Sequence, residues 1–168
     1  MKRIGLLAFL AIVAASCGTV TFNMSGATVG NATTCQINFF ENHADNVNPR
    51  LGAMITDELK DKIQSSTRLR LVNSNADVMF EGEITGYNIQ PQQITAQGRP
   101  AMDRLTITVR VRFTNELDPD KNYDRSFSRF QEATSGTITV GSAIENNLIE
   151  EILNELMEDI FNAAFASW

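Results

Sequence analysis

Cys17 is the residue best placed for covalent chemistry. It follows Ala14-Ala15-Ser16, small residues that close an apolar run from Ile4 to Val13, itself preceded by Lys2 and Arg3. The run is shorter than the roughly 20 residues that a membrane-spanning helix needs. The order charged, apolar, small is that of a secretory signal peptide. Small residues directly before a cysteine have the form of a bacterial lipobox, in which the thiol is acylated and the cysteine becomes the new N-terminus. Ala14 stands where Leu is commoner. The alternative is an ordinary signal peptide with a chance cysteine; Gly18 and the small, polar stretch behind it favour lipidation. Acylation anchors a chain because each buried methylene contributes about 0.8 kcal/mol. The expected division is a signal peptide over 1–16, a lipidated flexible tether over 17–33 and a single folded domain over 34–168.

The remaining candidates for chemistry are few. With Cys17 acylated, Cys35 has no partner in the chain; it is reactive, pairs between chains, or is buried. Its shared strand parity with Ile37 and Phe39 favours burial as a small apolar residue. His43 is the only histidine and lies in the polar run Glu41-Asn42-His43-Ala44-Asp45, read as a solvated loop. Without a second histidine or a thiol pair, no zinc site is expected. No serine stands in a nucleophile-elbow pattern. Glu150-Glu151 and Glu158-Asp159 read as a solvated helical face rather than as converging carboxylates. No catalytic residue, metal ligand or cofactor is expected. Arg110 and Arg112 are the one open case. They share a strand face with Thr106, Thr108 and Thr114, opposite a strand carrying Glu81 and Glu83. Two readings stand: a cross-strand ion-pair ladder on a wet sheet face, or a basic strip that meets an anionic ligand.

The elements that position these residues follow from periodicity. The chain has 168 residues, 43% of them hydrophobic and 20% charged, which suits one domain with a real core. Its net charge is −6, and −8 once Lys2 and Arg3 leave with the leader, which argues against nucleic acid. Thr34 to Phe40 alternates as a strand. Asn48-Pro49 opens a helix whose stripe is Leu51, Met54, Ile55, Leu59, Lys62 and Ile63. A short strand lies near Arg68 to Val72. Val78, Phe80, Gly82, Ile84 and Gly86 form the inner parity of the next strand, with Met79, Glu81, Glu83, Thr85 and Tyr87 outside. Residues 88–100 read as a long hairpin connection or loop. Leu105, Ile107, Val109, Val111 and Phe113 mark the clearest strand, and a turn at Asp118-Pro119-Asp120 leads to a return strand from Tyr123 to Gln131 of undecided facing. Ser142 and Glu145 have capping-box spacing before a helix with a broad apolar stripe, Ile144 to Phe165. The order predicts an α+β fold: a single antiparallel or mixed sheet with two helices packed on one face as a two-layer sandwich, the other face polar.

Several strings, in order, carry a resemblance. They are Val47-Asn48-Pro49, Leu59-Lys60-Asp61-Lys62, Thr67-Arg68-Leu69, Phe80-Glu81-Gly82-Glu83-Ile84-Thr85-Gly86-Tyr87, Arg104-Leu105-Thr106-Ile107-Thr108-Val109, Phe113-Thr114-Asn115 and Ser126-Phe127-Ser128-Arg129. Ile149-Glu150-Glu151-Ile152 and Asp159-Ile160-Phe161-Asn162, closing on Trp168, complete them. From the lipobox to the last residue, the chain resembles the LptE family of lipopolysaccharide-assembly lipoproteins. The resemblance implies the same α+β sandwich. It also implies an outer-membrane lipoprotein that plugs the lumen of a large β-barrel translocon (LptD type), on the periplasmic side or inside the barrel, and helps to deliver lipopolysaccharide. The family is described as binding lipopolysaccharide through basic residues, and none of those transfers residue by residue; Arg110 and Arg112 are the local candidates. Expected partners are therefore the barrel, lipopolysaccharide and a membrane reached through the lipid anchor, with no nucleic acid. The competing reading is another periplasm-facing lipoprotein, an activator of a cell-wall synthase or a pilotin-like adaptor.

Overall fold

A computed structural model describes residues 29–45, 48–94 and 100–166. The signal peptide, Cys17, most of the tether and Trp168 lie outside the described residues. Among the described residues, six strands and two long helices follow in the order β1 (Thr34–Ile37), β2 (Glu41–Asn42), α1 (Leu51–Ser66), β3 (Arg70–Leu71), β4 (Val78–Ile94), β5 (Pro100–Asn115), β6 (Tyr123–Thr134) and α2 (Ala143–Phe165), with a 3-10 turn at Pro119–Lys121 before β6. One mixed sheet runs β3-β1-β4-β5-β6, and β2 adds to β4 beyond the end of β1. The β1, β2 and β3 pairings are parallel; β4, β5 and β6 form an antiparallel meander. This is the expected α+β sandwich. The core lies between the sheet and the two helices, where Leu51, Ile55, Leu59 and Ile63 of α1 and Ile149, Ile152, Leu156 and Ile160 of α2 are fully buried. They oppose the alternate residues Leu105, Ile107, Val109, Val111 and Phe113 of β5.

Four local features depart from the expectations. First, the opening strand breaks. Phe39 is 61% exposed while Phe40 is fully buried. The Phe40 amide leaves the sheet ladder and donates to Thr56 Oγ1 of α1 at 3.1 Å. Its ring then occupies the space above Gly82, where an added Cβ would meet a ring carbon at 2.1 Å. Gly82 is thus the position at which bulk is excluded to admit Phe40.

Second, a bulge between Ile84 and Gly86 shifts the register of β4. An extra residue reverses which side each following residue faces, so Tyr87, expected outside, is buried. Third, residues 88–100 are largely strand: β4 runs on to Ile94 and β5 begins at Pro100, with 95–99 outside the described residues. Fourth, α1 begins at Leu51, later than Asn48-Pro49 suggests. Asn48 still caps the approach, accepting from the Arg50 amide at 3.1 Å.

The capping box at α2 is present in altered form. Ser142 Oγ accepts from the Glu145 amide at 3.1 Å, while the Glu145 carboxylate reaches one residue further back, to the Gly141 amide at 2.5 Å. The acidic face of α2 is more than solvated. Glu158 binds Lys62 of α1, and Asp159 takes both arms of Arg129 of β6 at 2.6 and 2.7 Å. These contacts settle the facing of β6: Tyr123, Phe127 and Arg129 turn toward the helices. Residues placed in the tether also join the fold. Val29 and Ala32 pack against the core, and Thr33 and Thr34 each donate a backbone N–H and a hydroxyl to Asp77 Oδ2 at 2.8–3.0 Å.

Candidate functional site

The face of the sheet away from the helices carries the candidate residues Arg110 and Arg112. Strand alternation sends Glu81 and Glu83 of β4, Arg110 and Arg112 of β5 and Asp124 of β6 to this side. The register puts Glu81 opposite Arg112 and Glu83 opposite Arg110, as the ladder reading requires. The ion pairs are nevertheless made elsewhere. Arg110 grips Asp124 with two bonds, Nε to Oδ1 at 2.8 Å and Nη2 to Oδ2 at 2.9 Å. Arg112, directly opposite Asp124, reaches the same Oδ2 at 3.3 Å. Glu83 is a secondary partner, 3.7 Å from Arg110. Glu81 accepts from the Asn38 amide at 3.1 Å. A planar guanidinium matches a carboxylate with two parallel bonds, which explains why Arg110 turns to Asp124. That bond holds the Arg110 guanidinium above, and the Asp124 carboxyl below, its ordinary value.

His43 belongs to the same face. Its backbone amide donates to the Ile84 carbonyl at 2.9 Å, extending the β2–β4 pairing by one residue. Its ring lies between two carboxylates, with Nδ1 3.1 Å from Glu83 and Nε2 3.2 Å from Glu41. Reading His43 as a solvated loop residue therefore missed its setting: it is exposed, but held at the end of a strand. Together these groups border a cavity of about 370 Å³ that Phe39 also lines. Glu41, Glu81, Glu83 and Asp124 line it against Arg110 and Arg112, a formal charge of −2 with His43 neutral.

The arginine strip is thus embedded in an acidic surface. Asp124 escaped the sequence reading because the facing of the last strand was undecided. Phe39 and Glu41 escaped it because nothing in strict alternation marks the break before Phe40.

A second polar cluster is internal. Glu145 is fully buried and accepts from the Tyr87 hydroxyl and, at 3.4 Å, from the Asn48 amide. Cys35, also fully buried, has its thiol pushed up to about 12 by burial. Among the described residues, no group of three or more His, Cys, Asp and Glu is arranged to hold a metal ion.

Comparison with known proteins bears on both fold and function. The family model for LptE, lipopolysaccharide-assembly, matches residues 32–164. A hypothetical protein from Chlamydia trachomatis, solved by others, has a similar structure with a TM-score of 0.54 at 11% identity, covering 79% of this chain and 97% of that one. It shares the fold. A minor lipoprotein from Acinetobacter baumannii gives a TM-score of 0.46 at 14% identity, over 79% of this chain and 90% of that one. Rare lipoprotein B from Shewanella oneidensis gives 0.44 at 9% identity, over 76% and 88%. No curated protein matches the sequence.

Proposed function

The chain belongs to the LptE family of lipopolysaccharide-assembly proteins, and from that premise we propose that it is an outer-membrane lipoprotein, anchored through Cys17, that plugs and helps assemble a β-barrel translocon of the LptD type. The observation that carries this reading is the two-faced sheet. Both helices cover one side, while the other presents charged and hydroxyl side chains to the surroundings, Thr108, Arg110, Arg112, Asp124 and Ser128 among them. A barrel lumen is polar, so such a face can line it without burying charge in lipid. The deciding experiment is a detergent pull-down of the acylated protein from outer membrane, with mass identification of what it retains. A heat-resistant complex with one large barrel protein is expected; a cell-wall synthase in its place overturns the reading. The intact mass of the mature protein should show acyl chains on Cys17, and a mass matching an unmodified or differently cleaved chain removes the anchor from the proposal.

For Arg110 and Arg112 the double engagement of Asp124 favours the ladder over contact with lipopolysaccharide. An anion arriving at Arg110 would have to displace a bidentate carboxylate on a surface that is already net negative. Arg110→Glu with Arg112→Glu should lower thermal stability, Asp124→Arg should restore part of it, and lipopolysaccharide binding should hold. Weaker lipopolysaccharide binding at unchanged stability would reverse the assignment.

A further inference from the structure

We propose that the outer edge of β6 is a docking site for an extended segment of a partner protein, which adds to the sheet as an antiparallel strand and sets an acidic residue beside Arg125. β6 offers this edge whether or not the partner is a barrel.

Among the described residues, the sheet ends on the two-residue β3 at one side and on β6 at the other. A short edge gives little to pair with, whereas a long one presents a row of unpaired N–H and C=O groups. β6 runs for 12 residues and contains no proline, glycine or lysine. Its pairing with β5 continues from Tyr123 opposite Phe113 to Thr134 opposite Met102 without a bulge. Among the described residues, no main-chain hydrogen bond of Asp124 to Ala133 runs outside the β5 ladder. The backbone devices that blunt an edge are thus missing, and the side chains do not supply them. On the polar side Asp124 is held by Arg110 and Glu132 by Arg104; on the helix side Arg129 is held by Asp159. Each is drawn onto β5 or α2 rather than across the edge. Between them lie Ser126, Phe127 and Ser128, two small side chains and a partly buried ring.

Arg125 gives the edge its selectivity. By alternation it lies on the helix side with Phe127 and Arg129. It is exposed, its guanidinium 5.4 Å from the centre of the Tyr123 ring, and no carboxylate among the described residues pairs with it. The helix side of β6 carries only the positive Arg125 and Arg129, and the polar side only the negative Asp124 and Glu132. Facing residues of paired strands point to the same side, so a second copy of β6 brings Arg125 no acid and sets like charges together. An antiparallel foreign strand with an apolar residue, one intervening residue and then an acid meets Phe127 with the first and Arg125 with the third. In strand addition the main-chain bonds supply affinity and the alternate side chains supply specificity.

The mature chain in detergent is titrated with acetyl-Thr-Thr-Val-Thr-Glu-Thr-Thr-amide and followed by amide hydrogen exchange. Alternate amides of β6, those pointing away from β5, should become protected saturably. The same peptide N-methylated along its pairing edge should protect none. Lysine in place of its glutamate should weaken binding about two- to fivefold, the scale of an exposed ion pair. Arg125→Glu should reverse that preference with the melting temperature unchanged, because Arg125 makes no ion pair within the domain. Absence of protection, binding that survives N-methylation, protection away from β6, or equal affinity for the two peptides overturns the docking edge. A protein mass of two chains, with the β6 amides already protected before peptide is added, gives the edge to a second copy and overturns it as well.

Discussion

Tyr87 donates its hydroxyl hydrogen to the carboxylate of Glu145 inside the core, joining the bulged part of β4 to the first turn of α2. The Glu145 carboxylate also accepts from the Asn48 and Gly141 amide groups. One buried acid therefore ties together the approach to α1, the loop before α2 and the sheet. Burial and the neighbouring carboxylate hold the Tyr87 phenol well above its usual range.

Removing that acid should cost stability out of proportion to its size. Glu145→Ala removes the acceptor shared by Tyr87, Asn48 and Gly141, at about 1–3 kcal/mol, and Tyr87→Phe should cost less because the other donors to Glu145 remain. Denaturant unfolding of the two variants checks the order; a neutral Glu145→Ala would show that water replaces the carboxylate.

Gly82→Ala should destabilise by about 1–3 kcal/mol, the usual cost of forcing extra volume into a packed core. The added methyl would press into the Phe40 ring. Phe40→Leu in the Gly82→Ala background should recover part of the loss. Additive losses in the double variant would show that the two residues do not share the space.

Leu153→Asp should unfold the domain, since it places a carboxylate at a position 1% exposed and costs several kcal/mol, comparable to the whole stability of a domain. Glu155→Ala should shift stability by about 0.5 kcal/mol or less, because its contacts to Gln131 and Arg129 are exposed. Thermal melts of both separate the two faces of α2, and equal shifts would contradict the placement.

Asp77 should stabilise the domain entry in a pH-dependent way. Hydrogen bonds from the Thr33 amide, then from Thr34 and the Thr33 hydroxyl, lower its carboxyl to about 2. The folded value is depressed, so the contribution is present above the ordinary carboxylate range and is lost as pH falls toward about 2. The stability difference between wild type and Asp77→Asn should grow from pH 2 to about pH 4 and then level off. A difference constant over that range would sink the argument.

Cys35 should resist alkylation in the folded protein. Its thiol is raised to about 12. The stability linked to keeping it neutral is present below the ordinary thiol value and is lost as pH rises toward 12. Labelling at pH 8 should proceed at the rate of unfolding, and fast labelling of the native protein would mean that the site is open.

Much of this fold was written in local pattern. Period-two alternation from Leu105 to Phe113 and the helical stripes through Ile55 and Ile152 mark which faces are buried, because a side chain's direction follows from its position in a regular element. Ser142 and Glu145 marked a helix start because capping needs only neighbours. The candidate site was legible in part: Arg110 and Arg112 were found, and so were Glu81 and Glu83 on the polar face of the preceding strand. The tertiary structure decided what local pattern does not encode. The bulge after Ile84 turned Tyr87 inward, and the break before Phe40 exchanged it for Phe39, because a single extra or missing residue reverses facing and is settled by what packs opposite. The partner of Arg110 was decided by the pairing of β5 with β6, which folds Asp124 back beside it in better geometry than Glu83. That choice made a basic strip in the sequence into part of an acidic surface, since the sign of a surface depends on every strand that contributes to it.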